Sequence, residues 1–147
     1  MHKAIAEAMQ SMWKDVLGAD VFLANQESKV FLATRSQGDY QIARASWIAD
    51  YVDPMTFLDV FADRDNDARY YNVIYNNLVQ AAKETNDPAL RRQYMHEAEQ
   101  ILFDDCIIIP IYYTTQPYVV QPYVKGYHWS PLGVVDFKRA YLEDQKG

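Results

Sequence analysis

Residues able to do chemistry are few along this chain, and they are scattered. The three histidines, His2, His96 and His128, lie far apart. His96 with Glu99 makes one i, i+3 pair on a helix, short of the three or four converging ligands a zinc site needs, so neither a metal nor a cofactor is expected. Cys106 is the single cysteine: it cannot close an internal disulfide and has no histidine nearby to activate it. Its position at the head of the apolar run Cys106–Tyr113 predicts a buried structural thiol. Asp63, Asp65 and Asp67 alternate as part of a calcium loop would, but the glycine and the closing glutamate of such a loop are missing, so 62–67 reads as an exposed, solvated loop. No G-x-S-x-G elbow, Walker loop or G-x-G-x-x-G occurs, and no residue is assigned a catalytic role.

One stretch stands apart. Arg44-Ala45-Ser46-Trp47-Ile48-Ala49-Asp50-Tyr51-Val52-Asp53-Pro54 sets a cation, a large aromatic ring and an anion at the end of a strand candidate, just before a helix start. Open α/β sheets place ligands at such strand ends. The plain alternative is a strand whose Arg44 and Asp50 pair with other groups or with water. From residue types and spacing alone, both readings stand.

The elements that must position this stretch follow from periodicity and capping. Ile5, Met9, Met12, Trp13, Val16 and Leu17 have helical spacing, and Gly18 suits a left-handed cap. A second helix is predicted over 28–36, burying Val30, Phe31 and Thr34, with Gly38 ending it. Val21–Ala24 and Tyr40–Trp47 read as strands, so helix and strand alternate as in an α/β domain. Asp53-Pro54 predicts a helix start, with Asp as N-cap, Pro at the first position and Phe57, Leu58 and Phe61 inward. Helices over 75–84 and 88–103 follow, the latter burying Leu90, Tyr94, Met95, Ala98, Ile101 and Leu102. Ile107–Tyr113 is β-branched and aromatic and predicts a buried strand, followed by short extended pieces around Tyr118–Val120 and Val124; 134–142 reads as one more strand or as a segment reaching out to another body.

Composition narrows the function classes. At 147 residues the chain is about one domain's worth. A net charge of −6, with no basic run interleaved with aromatics, argues against nucleic acid as a partner. The longest apolar stretch is too short to cross a bilayer. The opening Met1–Glu7 lacks the apolar run and cleavage site of a signal peptide, which carries no information on compartment if the chain is a piece of a longer protein. Twelve tyrosines suit a surface that grips amphipathic ligands, or equally a tyrosine-rich core edge.

Three ordered blocks carry a resemblance. "FLATRSQGDYQIARASWIADYVDPMTFLDVF" contains R-x-x-W-x-A-D-Y-x-x-P; further on come the helix with "AEQIL" and the run "IPIYYTTQPYVV". From about Ile5 to the C-terminus the chain resembles the solute-binding proteins for oligopeptides and dipeptides, family 5, of ABC importers. The resemblance implies an α/β fold: one lobe of a periplasmic-binding-protein-like (type II) fold, a mixed sheet flanked by helices. It implies that 1–147 is a single carboxy-terminal lobe of a larger two-lobed protein, with about 115–147 an extended segment returning to the first lobe. The first lobe, the signal or lipid anchor and half of the ligand cage would lie outside this chain. By the same resemblance Asp50 would hold a peptide's α-ammonium group, Ser46, Trp47 and Ile48 would run beside the ligand as an added strand, Trp47 would line a side-chain pocket, and Arg44 would meet the ligand's carboxylate at certain peptide lengths. Ile48 before Ala49, and Thr114 after Tyr112-Tyr113, depart from the family pattern and leave pocket shape open.

The implied function is non-enzymatic: capture of short peptides and delivery to membrane permease subunits, from an extracytoplasmic, lipid-anchored position. Relatives of this fold bind nickel complexes, opines or sugars, and a small hydrolase using Asp50 and a histidine is the competing class. An isolated lobe would leave apolar and tyrosine-rich surface near Trp47, Tyr112 and Tyr113 uncovered, through which two copies could pair as a homodimer.

Overall fold

The structure is a computed structural model that describes residues 2–62 and 64–143. Asp63, part of the alternating acidic loop, and the last four residues of the expected C-terminal segment lie outside the described residues. The chain divides into two compact units, 1–40 and 41–147.

The first unit holds helices α1 (His2–Leu17) and α2 (Ser28–Ser36). Gly18 ends α1 in the left-handed region (φ +66°), which lets the Ala19 N–H reach back to the Trp13 carbonyl. Glu27 caps α2, its carboxylate accepting from the Lys29 and Val30 amides. α2 spans the predicted residues. Its buried face is smaller than predicted: Phe31 and Thr34 are half-buried, whereas Val30 is exposed. Val21–Ala24, expected as a strand, forms no ladder.

The second unit is built on three helices, α3 (Met55–Ala62), α4 (Val73–Glu84) and α5 (Pro88–Asp104). Asn72 caps α4 and Asp87 caps α5, each side chain accepting two amide N–H groups of the first turn. Pro88 opens α5, where its missing N–H costs no hydrogen bond. The apolar faces of the three helices meet in one core of Met55, Leu58, Tyr75, Val79, Ala82, Ala98 and Leu102, with Tyr70 from the α3–α4 loop. Tyr75 has no exposed surface and donates its hydroxyl to the Leu58 carbonyl at 2.6 Å, tying α4 to α3. Tyr70 packs edge-on against it, with ring centroids 5.7 Å apart.

Three expectations are corrected here. Phe57 is exposed; Met55 and Thr56 take the buried places beside Leu58, because that face of α3 is the one packed against α4 and α5. The acidic loop is not wholly solvated: Asn66 is buried, donating to the Tyr70 carbonyl (2.8 Å) and accepting from the Tyr70 amide (3.1 Å), which closes the loop on its own side chain. Cys106 is exposed rather than buried. It occupies the left-handed position (φ +54°) that closes α5, with the Ile107 N–H bonded to the Leu102 carbonyl and the Cys106 N–H to Phe103. That geometry turns the thiol outward just where Ile107 and Ile108 turn in against the core.

The sheet content is also smaller than a mixed sheet flanked by helices. The strands form two antiparallel pairs in the tail: β1 (Val124–Lys125) with β4 (Tyr141–Leu142), and β2 (His128–Trp129) with β3 (Val135–Asp136). Val124 faces Leu142 and His128 faces Asp136, so the inner pair nests inside the outer one as a single interrupted hairpin. Between the two ladders the returning strand carries the extra turn Phe137–Ala140, closed by the Ala140 N–H on the Phe137 carbonyl. Tyr40–Trp47 and Ile107–Tyr113 belong to no described ladder. Their β-branched and aromatic content favours extended backbone, but a strand is completed by a hydrogen-bonded ladder, and among the described residues these runs form none.

Candidate functional site

The motif Arg44–Pro54 leads directly into α3, and the helix organises it. Asp53 caps α3 by accepting the Met55 amide at 2.8 Å, and the Thr56 amide bonds the Asp53 carbonyl. The same Asp53 Oδ1 accepts from Arg91 Nη2 of α5 at 2.9 Å. That guanidinium, and after it the Met55 N–H, holds the Asp53 carboxyl below its usual range, and the Asp53 carboxylate in turn raises the Arg91 guanidinium above its own. Arg91 also donates through Nε to the Ala82 carbonyl near the end of α4 (3.1 Å), so the start of α3 is fastened to both other helices.

On this base sits Thr56, only 2% exposed. Its Oγ1 accepts from the Trp47 indole N–H and from the Asp50 backbone N–H, each at 3.2 Å. Tyr51 follows Asp50 and donates its phenol to Asp59 at 2.6 Å. Asp59 is further neutralised by Lys83 at 2.5 Å. The hydrogen bond to Asp59 pushes the Tyr51 phenol up to about 12, so it stays a neutral donor.

These residues border an open hollow of about 370 Å³. Trp47 gives it an aromatic wall, and Asp50, Tyr51, Thr56, Asp59, Val60, Asp65, Asn66 and Asp67 line the rest. The carboxylates among its lining residues are acceptors of the kind that an ammonium group bonds. Among the described residues no group of three or more His, Cys, Asp or Glu is arranged to hold a metal ion.

Of the five residues singled out from sequence, the structure brings Trp47 and Asp50 together, on one hydroxyl and in one hollow. Arg44, Ser46 and Ile48 are exposed on the segment leading to Trp47 and do not line the hollow. Thr56, Asp59 and Arg91 escaped sequence reasoning. A threonine in a helix's first turn most often serves its own helix; nothing in its spacing reveals that it accepts from residues six and nine positions upstream. The Asp53–Arg91 pairing is a long-range contact with no local signature at all.

Comparison with known proteins identifies the family and the fold. The family model for bacterial extracellular solute-binding proteins, family 5 Middle, matches residues 1–69. The dipeptide-binding protein DppE of Bacillus subtilis is 38% identical over 141 residues, 95% of this chain and 26% of the relative. The periplasmic oligopeptide-binding protein OppA of Salmonella typhimurium is 38% identical over 145 residues, 97% of this chain and 27% of the relative. In the crystal structure of Haemophilus influenzae OppA in complex with the peptide RPPGFSPFR, a region covering 97% of this chain and 29% of that one superposes with a TM-score of 0.81 at 35% identity. The chain thus spans about a quarter of the length of the curated relatives it matches. By sequence and by fold, this chain belongs with the bacterial extracellular solute-binding proteins of family 5.

Proposed function

We propose that this chain is part of the solute-binding component of an ABC importer, taking up short peptides outside the cytoplasm and handing them to membrane permease subunits. It acts by binding and not by catalysis. The relatives it matches are named as dipeptide- and oligopeptide-binding proteins, which supports that reading. Asp50 is the anchor for the peptide's α-ammonium group, Trp47 walls a side-chain pocket, the Ser46–Ile48 backbone pairs with the peptide as an added strand, and Arg44 meets the carboxylate of peptides of suitable length. The observation that carries this is the pairing of Trp47 and Asp50 on Thr56 at the rim of an open hollow. In the same reading 1–147 supplies one carboxy-terminal lobe, and about 115–147 returns to the other lobe of a protein tethered by a lipid anchor. Tyr113 is 98% exposed, and the aromatic surface it shares with Tyr112 is where two isolated copies would pair.

The test is calorimetric titration of the two-lobed protein carrying this segment with a tripeptide, before and after Asp50→Ala. The variant is expected to bind at least about tenfold more weakly with its melting temperature kept, as loss of a charge-assisted bond requires. Unchanged affinity would remove Asp50 from the site. Turnover of a peptide mixture, followed by mass spectrometry, would overturn the non-enzymatic reading.

A further inference from the structure

We propose that Thr56 is the positioning residue of this site, one buried hydroxyl that holds the aromatic wall and the acidic anchor in register. The inference rests on the reading of Asp50 as the amine anchor. A hydroxyl oxygen has two acceptor lone pairs, and here two N–H donors converge on it, the Trp47 indole and the Asp50 amide. Trp47 remains 46% exposed, so its ring is not held by burial; the indole N–H bond to Thr56 restrains its direction. Asp50 is likewise exposed; it lines the hollow, and its backbone is tied to Thr56 at the amide. Thr56 itself cannot move to follow them. It is 2% exposed, in the first turn of α3, which Asp53 caps and Arg91 fastens to α5 and α4. The hydroxyl is therefore a fixed point carried by the helical core, and both ligand-facing groups hang from it. A ligand site gains affinity when its contacts are held in place before binding.

Removing the hydroxyl while keeping the shape isolates this role. In the two-lobed protein, Thr56→Val is expected to weaken a free-amine tripeptide about tenfold or more, and the same peptide with its amine acetylated by a clearly smaller factor, since only the Trp47 wall is then lost. Thr56→Ser, which restores the acceptor, is expected to bind within about threefold of the unsubstituted protein, and the Trp47 emission changed by valine should return with serine. A merely structural role would weaken both peptides alike and would not be rescued by serine; either result overturns the inference, as does wild-type affinity in a folded Thr56→Val. If Asp50→Ala binds normally, the anchor reading falls and this inference with it; if Asp50→Ala binds weakly and Thr56→Val does not, only this inference falls. Should Thr56→Val fail to fold, hydrogen exchange in the unsubstituted protein decides. The Asp50 amide and the Trp47 indole N–H are then expected to exchange at least about tenfold more slowly than unprotected groups, and unprotected rates would overturn the proposal.

Discussion

Asp53 and Arg91, 38 positions apart, meet through a 2.9 Å hydrogen bond on the oxygen with which Asp53 also caps α3. One carboxylate thus serves as helix cap and ion-pair partner, and one guanidinium joins the ends of three helices. Both side chains are about one-third exposed, so solvent screens the pair, and its worth lies in where it fixes the start of α3.

Separating the two roles of Asp53 is straightforward. Asparagine keeps a capping oxygen, so Asp53→Asn is expected to cost about 0.5 kcal/mol from the lost pair, whereas Asp53→Ala also loses the cap and should cost roughly 1–2 kcal/mol. Chemical denaturation of the two variants measures the difference.

The same carboxyl predicts a pH dependence. Arg91 first, and the Met55 N–H second, hold it below the usual 3.8 in the folded protein. A lowered folded value means that its stabilisation is complete above about pH 4 and is lost as the pH falls through that lowered value. Denaturation curves of the parent and Asp53→Asn, apart at neutral pH, should converge in acid. A gap that persists unchanged to the lowest pH would contradict the assignment.

Tyr75 tests the core. Its hydroxyl bonds the Leu58 carbonyl with no solvent nearby. Tyr75→Phe removes only that bond and is expected to cost about 1 kcal/mol, while Tyr75→Ala also opens a cavity between α3, α4 and α5 and should cost roughly 3–5 kcal/mol. Thermal melts of both variants give the comparison.

Cys106 occupies a left-handed position usually taken by glycine. Cys106→Gly relieves about 1 kcal/mol of backbone strain, less the entropy glycine adds to the unfolded chain, so a net gain of a few tenths of a kcal/mol is expected. Replacement by valine, β-branched and hard to place at positive φ, should instead lower the melting temperature.

Gly126 makes the complementary case in the tail. At φ +72° its bare Cα lies directly against the Arg139 carbonyl, in the space a Cβ would fill. Gly126→Ala must push the Phe137–Ala140 turn away and loosen both ladders. Amide exchange across 124–142 should accelerate in this variant while that of α3–α5 is unchanged.

The sequence by itself determined where the helices lie, with α3 starting one residue after Pro54 and α4 two residues before Tyr75, because capping and periodicity are local physics. Asp87-Pro88 starts α5, Gly38 stops α2, and the 3.6-residue spacing of Ala98 and Leu102 marks a buried face. It also held the motif from Arg44 to Pro54, since residue types and their order are all that a family resemblance requires. Tertiary structure alone decided the rest. Phe57 and Met55 exchange places because burial depends on where α3 meets α4 and α5. Cys106 turns outward because the end of α5 demands a left-handed residue there. The extended runs at 40–47 and 107–113 have strand composition without a ladder, since pairing needs a neighbour that no local pattern supplies. Thr56 gained its place under Trp47 and Asp50, and Arg91 its place beside Asp53, only when distant segments were brought together by the core.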